Sequence, residues 1–443
     1  SCVRRGRSCH PPAVSVYRER MAETRPLRIG FVATRFAGTD GVSLEAEKWA
    51  DELRAMGHDV YYFAGIVDRP AEKSMEVPEA FFGHPDVSRI GHAVFRDPGP
   101  GRPPEINRLI RDMTQFLRDK LYEFATRFDL DMLLPENALA IPMHLPLGLA
   151  ITQWAAESGK PVLAHHHDLS WERNRFLVND VADILRAAFP PPLPNVRHAC
   201  INTLQKEHIA MRLGRTARVI PNVMDFEHPP AGPDGYPAQL RRELGFSDDE
   251  LMVLLPVRVI PRKGIEHGVE LASRLERPAK LVMSHEVGDE GAGYGDRVRE
   301  YADLLGVEVV WAADQVAEDN SLDDQGRQRY TLADFYDAAD LMAYPSLIEG
   351  FGNAFLEGVY HRTPIVVNRY PIYELDIRPK GFRCLEMDGY ITEALVRETN
   401  MLMDDRDRGQ AWADENYALG LRYFSHQAVR DGLRAELAEM FPA

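Results

Sequence analysis

Short, almost wholly apolar runs recur along this chain, each followed by a turn and a longer amphipathic stretch. This alternation constrains the fold more than any other feature. Leu27-Arg-Ile-Gly-Phe-Val-Ala33, Asp59-Val-Tyr-Tyr-Phe63, Leu251-Met-Val-Leu-Leu255 and Leu341-Met-Ala-Tyr344 are the clearest runs. Such runs suit strands buried on both faces, as in a parallel sheet covered by helices. After the first, Gly38-Thr-Asp-Gly41 turns the chain into a helix predicted over Val42 to Met56, with Leu44, Trp49 and Leu53 at core spacing. Further strands are predicted over 130–134, 161–164, 198–201, 219–220, 280–283, 307–311 and 364–367. Helices are predicted over Pro104 to Phe128 and His426 to Met440. Asp68 to Pro104 reads as irregular, a long loop or small insertion. The expected class is α/β, with two doubly wound, Rossmann-like halves. The first half lacks the GxGxxG fingerprint, which argues against a dinucleotide cofactor.

At 443 residues the chain exceeds one ordinary core and suits two. The proline-dense segment Pro229 to Pro237 marks the boundary between them. The expected division is a 1–26 extension, disordered or foreign to the fold, halves over 27–228 and 246–422 joined by a 229–245 linker, and a closing helix within 423–443. A net charge of −16 argues against nucleic acid as a partner, because phosphate backbones need a basic footprint. The four cysteines, Cys2, Cys9, Cys200 and Cys384, form no CxxC pair, so neither a zinc site nor a disulfide framework is indicated and a cytoplasmic setting is the default. No apolar run reaches the length of about 18 residues that a membrane span needs.

The chemistry converges on Tyr344-Pro-Ser-Leu-Ile-Glu-Gly-Phe-Gly-Asn-Ala-Phe-Leu-Glu357. A strand ends at Pro345, the loop carries Gly350, Phe351 and Gly352, and Asn353 starts a helix. Free amides at such a helix start attract phosphate. Glu349 on the loop then lies beside whatever the phosphate carries, and Glu357 one turn into the helix can accept two vicinal hydroxyls. That combination suits a nucleotide sugar. Arg258 follows the first strand of the second half, and Lys263-Gly264 open its next helix; two fixed cations there can neutralise a diphosphate leaving group. Pro161-Val-Leu-Ala-His-His-His-Asp168 is a strand ending in three histidines, with His165 and His167 on one face and His166 on the other. His-x-His spacing suits a metal, but no second constellation is seen to complete a site, so no metal is expected. Gly41-Val42-Ser43 closes the first loop, and Ile220-Pro-Asn-Val-Met-Asp225 reads as a structural turn into the linker.

Glu349 and Glu357, with Gly350-Phe351-Gly352 between them, resemble the Glu-x7-Glu signature of family 4 retaining glycosyltransferases. Arg258 with Lys263-Gly264, the Pro-Val-(x)4-His-Asp-Leu pattern ending at His167, and Pro221-Asn222 with Asp225 follow the same family's order. The resemblance runs from about Leu27 to the C-terminus. One departure is Tyr360-His361-Arg362-Thr363 before Pro364, where a small residue and glycine are usual; segments 286–295 and 314–328 have no counterpart.

The resemblance implies the GT-B fold, with two Rossmann-like domains across a cleft and the last helix returning to the N-terminal domain. It casts 27–228 as the acceptor domain and 246–422 as the nucleotide-sugar domain. Arg258, Lys263 and the Gly350–Asn353 segment are expected to hold the diphosphate, Glu349 the sugar and Glu357 the ribose. His167 is expected to contact the sugar from the opposite domain. Asp168 is expected to orient it or its loop, and Gly41, Val42 and Ser43 to approach diphosphate and acceptor. The implied activity is retaining transfer of mannose or glucose from a GDP- or UDP-linked donor to a hydroxyl, with no cofactor. The helix over Pro104 to Phe128 mixes Arg108, Arg111, Arg118 and Lys120 with Asp112, Asp119 and Glu123, which favours a small soluble acceptor over lipid. The His167–Glu172 run points toward enzymes that build mannosyl- or glucosyl-glycerate compatible solutes. A sugar-nucleotide epimerase on a similar fold, a lipid- or polysaccharide-directed transferase and a homo-oligomer stay open.

Overall fold

The computed structural model describes residues 25–38, 41–96, 98–99, 101–230, 232, 234–286 and 292–442. Most of the expected 1–26 extension, with Cys2 and Cys9, and much of segment 286–295 lie outside them.

The N-terminal half is a parallel sheet of seven strands: β1 Arg28–Val32, β2 Asp59–Ala64, β3 Ser74–Glu76, β4 Met132–Pro135, β5 Val162–His166, β6 Val196–Cys200 and β7 Ala217–Val219, in the order β3-β2-β1-β4-β5-β6-β7. The second half has a six-stranded parallel sheet. It comprises β8 Leu251–Leu255, β9 Ala279–Met283, β10 Val309–Trp311, then, after the small sheet below, β14 Leu341–Tyr344, β15 Ile365–Asn368 and β16 Leu385–Met387. Their order is β10-β9-β8-β14-β15-β16. Helices cover both faces of the central strands, so Leu251 to Leu255 and Leu341 to Tyr344 are buried along their whole length, as unbroken apolar runs require. In each sheet the winding reverses beside the first strand, between β1 and β4 and between β8 and β14. Ligands of doubly wound sheets bind at that crevice. Val32 and Pro135 are register partners there, so the loops after β1 and β4 leave the sheet together.

Two expectations change, and one unassigned segment gains structure. Leu44 is exposed; the helix Gly41–Ala55 buries Ala46, Trp49, Ala50 and Leu53, whose i, i+3, i+4, i+7 spacing forms one stripe that Leu44 does not join. The stretch from Asp68 to Pro104 is ordered in part: three-residue β3 adds an edge to the sheet, and Pro85–Gly91 is helical. Segment 314–328 contributes to a separate three-stranded sheet of β11 Val316–Ala317, β12 Ser321–Leu322 and β13 Gln328–Thr331. Strands this short carry too few residues for a period to be read.

The closing helix His426–Met440 returns to the first half. Val429, Leu433 and Leu437 repeat every fourth residue and bury against a core that includes Trp49, Leu53 and Ile220. Glu436 meets Arg218 at 2.6 Å and Glu439 meets it at 2.7 Å, while Arg430 meets Glu52 at 2.6 Å. Among the described residues no helix is long and apolar enough to cross a membrane.

Candidate active site

The loop after β14 and the turn after β8 are fastened to each other. Leu347 N donates to Arg262 O at 2.9 Å, and a Cβ on Gly264 would lie 2.6 Å from Pro345 O. Gly264 also holds φ +61°, so a side chain there is excluded on both counts. This seat brings Lys263 Nζ onto Glu349 Oε1, while Arg262 reaches Glu349 Oε2 at 3.4 Å and Ile348 O at 2.9 Å. Lys263 also lies over the Tyr344 ring, 5.7 Å from its centre.

Burial pushes the Glu349 carboxyl upward, but the Lys263 ammonium, Ser346 and Arg262 outweigh it and hold the group below the usual carboxylate range. Burial pulls Lys263 below the usual lysine range; Glu349 opposes this, while Arg262 and Arg258 add repulsion. A single carboxylate thus faces three cations. The excess positive charge suits a polyanion. Burial, together with Lys263 and Arg258, also lowers His285. Arg258 itself is exposed.

Downstream, Gly352 adopts φ +128° and caps the helix Asn353–Tyr360. Tyr370 Oη donates to Phe351 O at 2.8 Å and packs against the Gly352 Cα, leaving no room for a side chain. Glu357 accepts a 2.7 Å hydrogen bond from the hydroxyl of Tyr336, which is fully buried. The opposite half meets this loop directly. Asn202 Nδ2 donates to Gly350 O and Asn222 Nδ2 to Asn353 Oδ1, both at 2.7 Å. Asn222 therefore spans the two halves, beyond the turn role expected of it. A Cβ on Gly350 would lie 3.6 Å from His167 O and 3.8 Å from Asp168 Oδ1.

The histidine strand carries the largest correction. His165 Nδ1 lies 2.9 Å and His167 Nε2 3.2 Å from Glu136 Oε2, so a carboxylate does converge on the two histidines. Glu136 follows β4, next to β5, and its side chain is fully buried. Ligand atoms of the three lie within 4.8 Å of one another, close enough to hold a small cation; here the carboxylate accepts from both imidazoles. Burial pushes Glu136 upward, yet the two histidines leave it below its ordinary range. Burial dominates at His165, which is lowered. At His167 burial opposes charging, but Glu136, Glu45 and Asp168 overcome it and the group is raised. Of the two imidazoles, His167 is the one whose pKa is raised. Trp49 stacks on His165 with ring centres 3.8 Å apart, and His166 turns to the other face, with Nε2 3.0 Å from His198 Nδ1.

Asn137 organises the same corner. It holds φ +55°, and its Oδ1 accepts from the backbone amides of His167 at 3.0 Å and Asp168 at 3.3 Å. Asp168 pairs with Arg173 at 2.5 Å. Gly41, Val42 and Ser43 form the first turn of the helix Gly41–Ala55. Val42 lines a cleft of about 170 Å³ together with Thr34, Arg35, Phe82, Glu136 and Asn137. A larger hollow of about 530 Å³, beside Arg241 and Arg406, lies away from these loops.

No family model matches the chain. A mannosylglucosylglycerate synthase of Thermotoga maritima is 28% identical over 447 residues, covering 93% of this chain and 100% of the relative. One of Petrotoga mobilis is 28% identical over 382 residues, covering 82% and 86%. Among solved structures, a glycosyltransferase of Rickettsia africae superposes with a TM-score of 0.66 at 12% identity, covering 95% of this chain and 100% of that one. Anabaena Alr3699/HepE in complex with UDP and glucose gives 0.62 at 13%, covering 93% and 100%. This chain is a glycosyltransferase of the GT-B fold.

In this glycosyltransferase Lys263 and Glu349 therefore meet at the junction of the two loops, His167 and Asp168 face Gly350 from the other half, and Phe351 is buried against Phe424. Arg262, Tyr336, Glu136 and Asn137 escaped the sequence reading. For Arg262 a signal existed, since it adjoins Lys263 in the same turn. The other three reach the glycosyltransferase's crevice from elements far away in sequence, and no local pattern marks them.

Proposed function

We propose that this glycosyltransferase transfers a hexose, mannose or glucose, with retention, from a GDP- or UDP-linked donor to a hydroxyl of a small glycerate-bearing acceptor. The product would be a mannosyl- or glucosyl-glycerate compatible solute. The observation that carries the reading is the three-cation, one-carboxylate cluster at the β8–β14 switch point, beside a glycine-capped helix start. The names of the two full-length relatives support the product class. Membership of family 4, supported by the Glu349-x7-Glu357 and Arg258…Lys263-Gly264 spacings, belongs to the same reading, as does a cytoplasmic setting.

In this mechanism the bond from sugar C1 to the diphosphate breaks as C1 bonds to the acceptor oxygen on the same face. The acceptor proton passes to the departing phosphate oxygen, and nucleoside diphosphate is released. Arg258, Lys263 and the amides of the Gly350–Asn353 segment take up the growing negative charge. Lys263 is held against Glu349 until the donor arrives, and the incoming diphosphate competes for it. Glu349 binds sugar hydroxyls and offsets the oxocarbenium-like charge, while Tyr336 steadies Glu357 at the ribose. The His167 imidazolium, kept charged by Glu136, donates to the sugar from the other half. Glu136, buried and accepting from two imidazoles, is not placed to act as a nucleophile, which agrees with same-face attack rather than a glycosidase-like pair.

The test pairs GDP-mannose and UDP-glucose each with glycerate and with glucosylglycerate, following released nucleotide and the anomeric configuration of the product by NMR. Acceptor-dependent release with retained configuration is expected. Release without acceptor would point to an epimerase, and an inverted product would remove the mechanism.

A further inference from the structure

Strand β6 ends at Cys200, and the chain turns at Asn202 into the helix Thr203–Leu213. Asn202 has the extended backbone of a helix cap, and its Oδ1 accepts from Gln205 N at 2.8 Å. Capping uses only one end of the side-chain amide. The other end, Nδ2, crosses to the second half and donates to Gly350 O at 2.7 Å. A serine would cap this helix as well as asparagine does, but its hydroxyl stops too short to reach Gly350 at the same time.

Gln205 lies in the same helical turn. Its Nε2 donates to His167 O and to Glu172 Oε2, each at 3.0 Å. Asn202 and Gln205 are both 1% exposed, so water competes for neither set of bonds. Two amides from one turn therefore hold two carbonyls that belong to opposite halves. Those carbonyls flank the crevice: Gly350 directly follows Glu349, and a Cβ on Gly350 would lie 3.6 Å from His167 O.

The second half grips the same helix start in return. Asp376, buried in the segment Tyr373–Ile377, accepts from Thr203 N at 2.9 Å and from Thr203 Oγ1. Its carboxylate meets the positive end of the helix. The helix start is thus fixed to the second half at two points, and a displacement of Asn202 shifts Glu349 and His167 relative to each other.

We infer that Asn202 is a positioning residue for the donor sugar: with Gln205 it relays the place of the donor loop to His167 and so sets the gap between Glu349 and His167. The inference rests on the hexosyl-transfer reading above, in which those two side chains hold the sugar from opposite halves.

Calorimetric titration of wild type, Asn202→Ser and Gln205→Met with GDP, UDP, GDP-mannose and UDP-glucose tests the relay. Asn202→Ser should bind the bare nucleotide as tightly as wild type, because the proposed nucleotide contacts lie in the second half. It should bind the matching nucleotide sugar roughly fivefold more weakly, the scale of one lost hydrogen bond. Its kcat for transfer should fall about tenfold, because groups on either side of the sugar are misplaced. Its melting temperature should hold, since serine keeps the cap, whereas Asn202→Ala should melt lower. Gln205→Met should repeat the pattern of Asn202→Ser, and the double variant should lose little more than either, as for two cuts in one relay. A folded Asn202→Ser with wild-type sugar affinity and kcat, equal weakening of nucleotide and nucleotide sugar, or multiplicative losses in the double variant overturns the inference while leaving hexosyl transfer intact. A wild-type protein that binds none of the four compounds overturns the hexosyl-transfer reading and this inference together.

Discussion

Two side chains show at the residue scale how charge is prepared before a substrate arrives. His167 is buried, which alone would lower its pKa, yet Glu136 at 3.2 Å raises it above the ordinary imidazole value. A histidine whose pKa is raised keeps its proton below that pKa and loses it as pH climbs through it, so activity that needs the imidazolium falls on the alkaline side. Glu136→Gln removes the charge and keeps the shape. Its alkaline limb of kcat/KM should move to lower pH, because a nearby opposite charge that favours the imidazolium is gone. An unmoved limb would show that His167 does not act as a cation. The second case is Tyr336, whose hydroxyl is committed to Glu357. Tyr336→Phe should raise the donor KM by roughly fivefold, as expected for losing one hydrogen bond of about 1 kcal/mol, with kcat little altered. A fall in kcat at constant KM would move Glu357 out of ground-state donor binding.

At the scale of elements, the site is a junction between two loops that each follow a parallel strand. The turn after β8 and the loop after β14 touch because Gly264 has no side chain, and the Lys263–Glu349 pair depends on that touch. Gly264→Ala meets both a positive φ and the Pro345 carbonyl, whereas Gly214→Ala meets a similar φ of +61° with nothing within 4 Å. Both substitutions should cost about 1 kcal/mol or more in stability through the backbone. Only Gly264→Ala should also reduce kcat/KM, by tenfold or more, because it separates cations from carboxylate. Equal activity in the two folded variants would show that the seat does not matter to catalysis. Much of this junction was legible beforehand: β14 and the helix start at Asn353 fall where the apolar run and the glycines put them. Local chemistry decides such features. The three-residue β3 and the sheet of β11, β12 and β13 were not legible, because they owe their strand geometry to neighbours rather than to their own pattern.

At the scale of the whole molecule, the chain passes from the first half to the second and then comes back, and the closing helix seals the return. Leu433 is fully buried in a core built by Trp49, Leu53 and Ile220. Leu433→Ala should therefore lower the unfolding free energy of the N-terminal half by about 2–5 kcal/mol, the usual range for a buried leucine. Denaturant unfolding followed by tryptophan fluorescence would show this, and an unchanged midpoint would mean the helix is not seated there. The two halves also clasp at the crevice through Asn202, Asn222 and the backbone of Thr203, which donates to Asp376 at 2.9 Å. The sequence by itself determined what depends on neighbours a few residues apart: buried strand runs, helix starts, and the spacing of Glu349 from Glu357. It could not tell which strand lies beside which. The order β2-β1-β4-β5 brings Glu136 against histidines 29 and 31 residues away, and the order β9-β8-β14-β15 brings Arg262 to a carboxylate 87 residues away. Parallel strands are joined by crossovers of variable length, so separation along the chain says little about adjacency. Only the collective burial of both faces of each sheet selects the order, and with it the polar groups that meet at its carboxyl edge.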